Sequence, residues 1–514
     1  MRTPFRIRSE ADRRLTEGFT GSQTMARLRE LLGNRFMLTI KSRVAYGAGG
    51  AVYAIKEAAY TMFVLLFYTQ VLGLNGTMTG IVISLSLVWD GISDPLAGTL
   101  SDRLRSRFGR RHPFMLASIL PMGLGFIGLF SPPTTVTAST PMLAGWLLFW
   151  SLWVRTFITT FTIPHLALSA EITRDYHERS QILGARLAFL FLFSVLIPAV
   201  ALLLVFTGEG GSDGRFERDN YPLYGALSCA AVWLMAGITT VGTRRHIRSS
   251  LDIAGAPANR GTLRNLTLDI RRTLANSSFR LVLGYEIANM VAYGTVATLN
   301  MLVWTYYWEF STREVSIILS VPSLLAVALV MMTLTPLSRR FEKFQLMQLS
   351  VAGIILNCLW LYPLRMLDLL PPNGTAVIFA LNFLFMLIFM YCFLLRAIQT
   401  QSIIADITDE HEFEHELKQE GGFFAAANFV NKFASIFGPV YGGVVLDVIG
   451  LTGDMRPGNV PAPVLDGLAW AFGLGTLPGF VIALLLVLRL DLTRARVEDL
   501  QRRNRERESA RRRA

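Results

Sequence analysis

The stretch FGLGTLPGFVIALLLVL, from Phe472 to Leu488, contains no charged residue. A helix needs roughly 20 mostly apolar residues to cross the hydrocarbon core of a bilayer. Runs of this kind recur about twelve times along the chain, near 45–72, 77–100, 114–132, 142–170, 182–207, 222–243, 280–308, 314–337, 344–366, 375–404, 422–449 and 464–488. Short polar gaps separate them. None shows the apolar/polar alternation over ~10 residues that a barrel strand would require. In lipid the backbone must satisfy its own hydrogen bonds, so these runs read as spanning helices. Across the 514 residues, 52% are hydrophobic and 17% charged, against about 25% charged in soluble domains. A soluble chain of this length could not bury twelve such helices.

The net charge of +12 would suit a nucleic-acid partner, but its placement points elsewhere. With the N-terminus in the cytoplasm, the inner segments hold 37 Lys and Arg. The outer loops hold five: Arg215, Arg218, Arg313, Arg365 and Arg456. Basic residues concentrate on the cytoplasmic side of membrane proteins. The expectation is a multi-pass protein of the cell inner (cytoplasmic) membrane, both termini cytoplasmic, with no nucleic-acid partner. The basic tail 494–513 suits an anionic inner leaflet.

Residues 1–43 are polar and basic, lack the apolar core of a signal peptide, and read as a cytoplasmic extension. The longest interior polar break, 244–279, divides six spans from six. This gives an N-terminal bundle over 44–243, a central cytoplasmic loop, a C-terminal bundle over 280–489 and a basic tail over 490–514. Parallel repeats are one of the layouts of two-lobed transporters. Two faint echoes support the division. Ala170-Glu171-Ile172-Thr173 closes the fourth span and Ala405-Asp406-Ile407-Thr408 the tenth. Asp94-Pro95-Leu96 in the second span parallels Thr335-Pro336-Leu337 in the eighth.

The second span and its loop read SLVWDGISDPLAGTLSDRLRSRFGRRHPF, residues 86–114. Asp90 and Asp94 are four apart and share a helix face. Carboxylates inside a membrane are costly unless they meet a cation, a proton or a basic group. Oxygen ligands suit a hard cation, and crowding two carboxylates raises one pKa, which suits proton carriage. Asp102, Arg103, Arg107, Gly109, Arg110 and Arg111 then form a charged loop able to hold two helix ends together by ion pairs that break and remake. That loop resembles the signature of the major facilitator superfamily.

Only five lysines stand against 44 arginines, yet Lys56 and Lys432 fall inside spans. Lys can lose its proton when buried and Arg cannot. Glu57 or the span-2 aspartates are the expected partners. Arg155, Thr159 and Thr162 lie on one stripe of the fourth span. Arg186 lies in the fifth span and Arg396 in the tenth. Glu286, Asn289, Tyr293 and Asn300 share a face of the seventh. Each alone could be a bond between helices; as a set they imply a polar cavity at midplane depth, with Lys56, Arg155, Thr162, Arg186, Glu286, Asn289 and Arg396 as candidate solute contacts.

Enzyme signatures are absent: no HExxH, no GxSxG and no Walker A. His165, the histidine within a span, reads as a helix–helix hydrogen-bond partner. Cys229, Cys358 and Cys392 have no metal-site spacing and read as small core residues. No catalytic residue and no cofactor are expected, apart from Na⁺ as a possible coupling ion. The protein is expected to function as a monomer.

FYTQVLGL (67–74), WDGISDPLAG (89–98), GRRHP (109–113), IPHLALSAEITRDYHERS (163–180) and ADITDEHEFE…VNKF (405–433) resemble the glycoside–pentoside–hexuronide:cation symporter family, of which melibiose permease is the familiar member. The resemblance implies an all-α membrane protein with the major facilitator fold, two six-helix bundles that rock about a central site. It implies cation-coupled symport of a small organic solute. On it, Asp90, Asp94, Ser93 and Thr159 match the cation site, Lys432 the lysine facing that site, and Arg186 an arginine lining the sugar cavity. Two acidic sugar contacts of the family fall at Ala54 and Thr162, which puts galactoside binding in doubt. Ser93 in place of an asparagine leaves Na⁺ and H⁺ both open. The family's relatives include lysophospholipid carriers, and a facilitator without ion coupling, or a membrane-embedded enzyme or sensor, are further alternatives. The cationic side chains in the spans suggest an acidic glycoside or another organic anion, gripped by Arg186 and Arg396.

Overall fold

The computed structural model describes residues 39–104, 106–173, 175–208, 213–247, 276–415, 420–490 and 494–513. Residues 1–38 of the N-terminal extension, most of the central loop and Arg105 of the charged loop lie outside the described residues. Among the described residues there are helices and no strands.

Twelve helices are long and apolar enough to cross a membrane. They are α1 (Ile40–Val71), α2 (Gly76–Arg103), α3 (His112–Phe130), α4 (Thr140–Ile172), α5 (Glu178–Leu204), α6 (Asn220–Gly242), α7 (Ser277–Tyr307), α8 (Thr312–Arg340), α9 (Lys343–Met366), α10 (Ala376–Phe413), α11 (Gly422–Ile449) and α12 (Ala462–Val487). A polar helix, α13 (Arg494–Arg513), follows. The chain is thus an all-α, multi-pass membrane protein.

Their starts are legible in the local chemistry. An exposed N–H at a helix start needs an acceptor, and Asn, Asp or Ser at the cap supplies one. Asn75 caps α2 through the Met78 amide at 3.0 Å. Asp175 accepts from Glu178 at 2.9 Å, and Asn276 from Phe279 at 2.8 Å. Ser311 and Glu314 form a reciprocal capping box on α8.

The first six helices pack together, α1 against α5 and α6, and α3 against α4 and α6. The last six do likewise, α7 against α12, and α9 against α10. The halves meet chiefly through two pairs, α2 with α11 and α5 with α8, with a smaller contact between α1 and α7. Counting six helices on, α2 corresponds to α8 and α5 to α11, so one pair is the image of the other. The equivalence extends to detail: α1 and α7 both finish in a widened π-turn, at Phe67–Val71 and Val303–Tyr307.

Polar contacts tie the two halves together at the ends of helices farthest from residues 244–279. Arg215 donates to Thr305 Oγ1 at 2.7 Å and to the Phe310 carbonyl at 2.6 Å. Tyr306 donates to Gln70 Oε1 at 2.8 Å, and Ser316 to the Ala199 carbonyl at 3.2 Å. Arg215 is 1% exposed and held by Asp213. This face, called outer below, is closed.

Candidate functional site

The charge cluster sits midway along α2, where two carboxylates one turn apart face α4 and α11. Asp90 Oδ2 pairs with Arg155 Nη1 at 2.5 Å. Arg155 also donates from Nε to Ser86 Oγ at 2.8 Å and lies over the Tyr60 ring, 4.7 Å from its centroid. Asp94 Oδ1 accepts from Thr159 Oγ1 at 2.9 Å. Asp94 Oδ2 pairs with Lys432, which reaches it from the other half of the molecule. Thr162 lies on the same helix as Thr159, buried, and Ser93 is buried with an unpartnered Oγ.

On α1, Lys56 pairs with Glu57 at 2.8 Å and lies 4.2 Å from the Tyr53 ring centroid. Lys432 feels the charges of Asp90, Lys56 and Glu57, so the six ionic groups, three of each sign, form one neighbourhood. The Glu57 and Lys432 side chains are 47% and 42% exposed.

Several sequence-derived candidates occupy different positions. Arg155, expected among solute contacts, grips Asp90. The reason is the cost of a carboxylate in low dielectric without a cation. Arg396, expected as an anchor for an acidic solute, pairs with Glu286 at 3.0 Å, both buried. Tyr285 lies 3.3 Å from Arg396 Nη1, and the guanidinium covers Phe393, 4.7 Å from its centroid. The bond between helices, open as an alternative in the sequence, is the arrangement found. Asn289, 0% exposed with both amide atoms unpartnered, shares this closed interior. Arg186 of α5 sets its backbone carbonyl against Gly50 of α1, and its Nε is buried without a hydrogen-bond partner. His165 links helices, with Nε2 3.0 Å from the Tyr46 carbonyl.

The charged loop after α2 closes onto α4. Arg111 pairs with Asp102 and donates to Ser101 Oγ at 2.6 Å. Arg110 and Arg111 reach Glu171 at 2.8 and 3.2 Å. Gly109 has φ 77°, the left-handed conformation that glycine adopts without strain. Arg103 is exposed, and Arg107 lies over the Phe108 ring. Glu171, the focus of this network, was not singled out as a site residue from the sequence. Its signal was the echo with Asp406, which pairs with Lys343 at 2.6 Å in the second half.

A separate cavity of about 410 Å³ lies between α8, α9, α10 and the tail helix, lined in part by Glu342, Lys343, Gln399, Asp406 and Glu498. The tail itself docks on α10: Arg496 pairs with Glu410 at 2.6 Å, and Arg507 covers the Phe413 ring at 4.2 Å.

Comparison with known proteins gives this geometry a family. The chain is 24% identical over 467 residues to the putative glycoside/cation symporter YagG of Escherichia coli, covering 90% of this chain and 95% of that one. It is 32% identical over 170 residues to an uncharacterized symporter of Synechocystis sp., a match spanning 31% of that protein. It is 30% identical over 151 residues to sodium-dependent lysophosphatidylcholine symporter 1-A of Danio rerio, 28% of that protein's length. Among solved structures, that of the nucleoside transporter NupG superposes with a TM-score of 0.61 at 14% identity, over 88% of this chain and 100% of that one. A family model described as MFS/sugar transport protein matches residues 45–494. The chain belongs to that family, with the twelve-helix fold of the major facilitator superfamily.

Proposed function

We propose that this protein is a cation-coupled symporter carrying a glycoside or hexuronide-type sugar derivative by alternating access. The observation that carries the reading is the pairing of Lys432, from one half, with Asp94, from the other, beside Thr159 and Asp90. The Lys432 ammonium occupies the carboxylate that a coupling ion would need. Asp90, Asp94, Thr159 and the unpartnered Ser93 Oγ are hard oxygen donors of the kind Na⁺ takes, and the carboxylates serve a proton equally. A cation on Asp94 and the ammonium on Asp94 exclude each other, so ion occupancy loosens a bond between the halves. A ligand shifts a conformational equilibrium only by its differential affinity for the two states, and this competition supplies such a difference. Glu57, Lys56 and Thr162 are the proposed solute contacts nearest the cluster. Asp102, Arg110, Arg111 and Glu171 form the proposed inner gate. The protein works in the inner membrane as a monomer, with both termini in the cytoplasm.

The test uses purified protein in liposomes. A panel of neutral and acidic glycosides is assayed for counterflow and for accumulation under imposed Na⁺ or H⁺ gradients. Gradient-driven accumulation of a glycoside, lost in Asp94→Asn, is the expected result. Chemical change of the solute, or accumulation independent of any gradient, overturns it. The lysophosphatidylcholine symporters among its relatives favour a second reading, a lysolipid-like solute, and a lysolipid belongs in the same panel.

A further inference from the structure

The seam between α2 and α11 runs from the outer surface to the charge cluster. Its residues recur every three or four positions along α11, and on α2 they lie at 76, 80 and 84, with Asp94 ten positions further in. At the outer end, Asp447 of α11 accepts from the first amides of α2: Oδ1 from Gly76 N at 2.9 Å and Oδ2 from Thr77 N at 2.7 Å. One turn inward, the backbones touch. A Cβ built at Gly443 would stand 2.1 Å from the Gly76 carbonyl oxygen, and one at Gly80 would stand 2.2 Å from the Pro439 carbonyl oxygen. Next, Ser84 donates to the Ile436 carbonyl at 2.7 Å. The seam ends where Lys432 meets Asp94.

We propose that Asp447 is a positioning residue for transport: it caps α2 across the halves and holds the outer end of this seam shut. A helix start leaves amides without intrahelical partners. Here Asn75, from the same half, serves Met78, while Gly76 and Thr77 depend on Asp447 of the other half. The negative charge also sits favourably at the positive end of the helix dipole. The cap exists only when the halves meet at the outer end, so its whole contribution is a difference between states. Asp447 and Lys432 lie on the same seam of α11, and Gly76 and Asp94 on that of α2. The two bonds therefore close one seam from its two ends. Ion arrival at Asp94 releases the inner one, and the Asp447 cap sets how readily the rest follows. The proposal rests on the transport reading for its purpose, but not for its test.

Spin labels at Ala138→Cys and Asn459→Cys, exposed positions on the outer side of the two halves, report outer separation by double electron–electron resonance without any solute. A helix cap is worth enough to shift a two-state ratio about ten-fold. Asp447→Ala is expected to raise the long-distance population by about that factor. Asp447→Asn, which keeps a capping oxygen, is expected to restore most of the short-distance population. Gly443→Ala, which forces the backbones apart, shows that the label pair senses opening. An Asp447→Ala distribution like the parent's, in a pair that Gly443→Ala does shift, overturns the proposal. If Asp447→Ala does not fold, Asp447→Leu, which offers no acceptor, takes its place against Asp447→Asn, and an Asp447→Leu distribution like the parent's also overturns the proposal. Failure of the symport reading shows instead as absent counterflow in the parent protein and leaves these distances unchanged.

Discussion

Replacing Arg396 by Gln separates a structural ion pair from a solute anchor. Arg396 and Glu286 are 3.0 Å apart and both buried. Tyr285 supports the guanidinium from one side and Phe393 from another. Removing one member of a buried pair leaves the other charge uncompensated, at a cost of about 3–5 kcal/mol. For a bundle of roughly 200 residues, each kcal/mol moves the melting temperature by about 2–4 °C. The expected loss for Arg396→Gln is therefore on the order of 10 °C, read by thermal unfolding of the purified protein in detergent. Glu286→Gln should lose a similar amount. The double variant removes both charges while keeping shape and hydrogen-bonding groups, and should return to within about 2 kcal/mol of the parent. Solute affinity, measured at a temperature where all variants are folded, should match the parent's. A single variant that melts like the parent yet no longer binds an acidic glycoside would refute the reasoning and return Arg396 to the solute site.

Other outcomes follow from the same geometry. Asp94→Asn should abolish gradient-driven accumulation, and retained accumulation at the parent's level would remove Asp94 from the ion site. Glu171→Gln takes the shared acceptor from Arg110 and Arg111; turnover should change several-fold with little change in solute affinity, measured by counterflow and equilibrium binding. Impermeant thiol reagents added outside intact cells should label Ala138→Cys and spare Arg340→Cys, and the reverse pattern would invert the proposed topology.

The helices were legible because hydrocarbon imposes a length and excludes charge: eleven of the twelve spans fall within five residues of their sequence-derived bounds, while α10 runs nine residues past the expected end, to Phe413, through a charged segment that hydropathy does not mark. The reach of Lys432 to Asp94 was foreshadowed by residue type, since intramembrane charges need partners and few candidates existed, whereas Thr159 beside Asp94 was expected only from the family resemblance. Pair assignment was less legible. Arg155 and Arg396 carry the same group at similar depth, and nothing in either segment says which carboxylate comes within reach. The Asp447 cap was invisible for a different reason. An acidic residue near a span end is ordinary, and its partners are backbone amides 371 and 370 positions away, which have no side-chain signature. Glu171 left only a four-residue echo, and an echo states equivalence without naming a partner.

That echo also shows where the two halves diverge. At the end of α4, Glu171 takes two arginines, and Arg111 further holds Asp102 and Ser101, so the buried Arg111 and Glu171 tie three segments together, with Arg110 and Asp102 at the exposed margin. At the equivalent end of α10, Asp406 takes one lysine whose side chain is 45% exposed. An exposed single pair contributes little, about 0–1 kcal/mol. A buried guanidinium network contributes more, because breaking it strands charges in low dielectric. The first-half network therefore dominates the cost of rearranging the inner side, and it lies on α2. The same helix carries Asp90 and Asp94 at its middle and the Asp447-capped amides at its start. Motion of α2 relative to its neighbours is thus opposed at three depths by three kinds of bond: a cap at the outer end, the Lys432–Asp94 pair at the centre and an arginine network at the inner end. With the ion site proposed at Asp94, only the central one would be relieved by a transported cation, which is why coupling is expected to depend on Asp94 far more steeply than on either end.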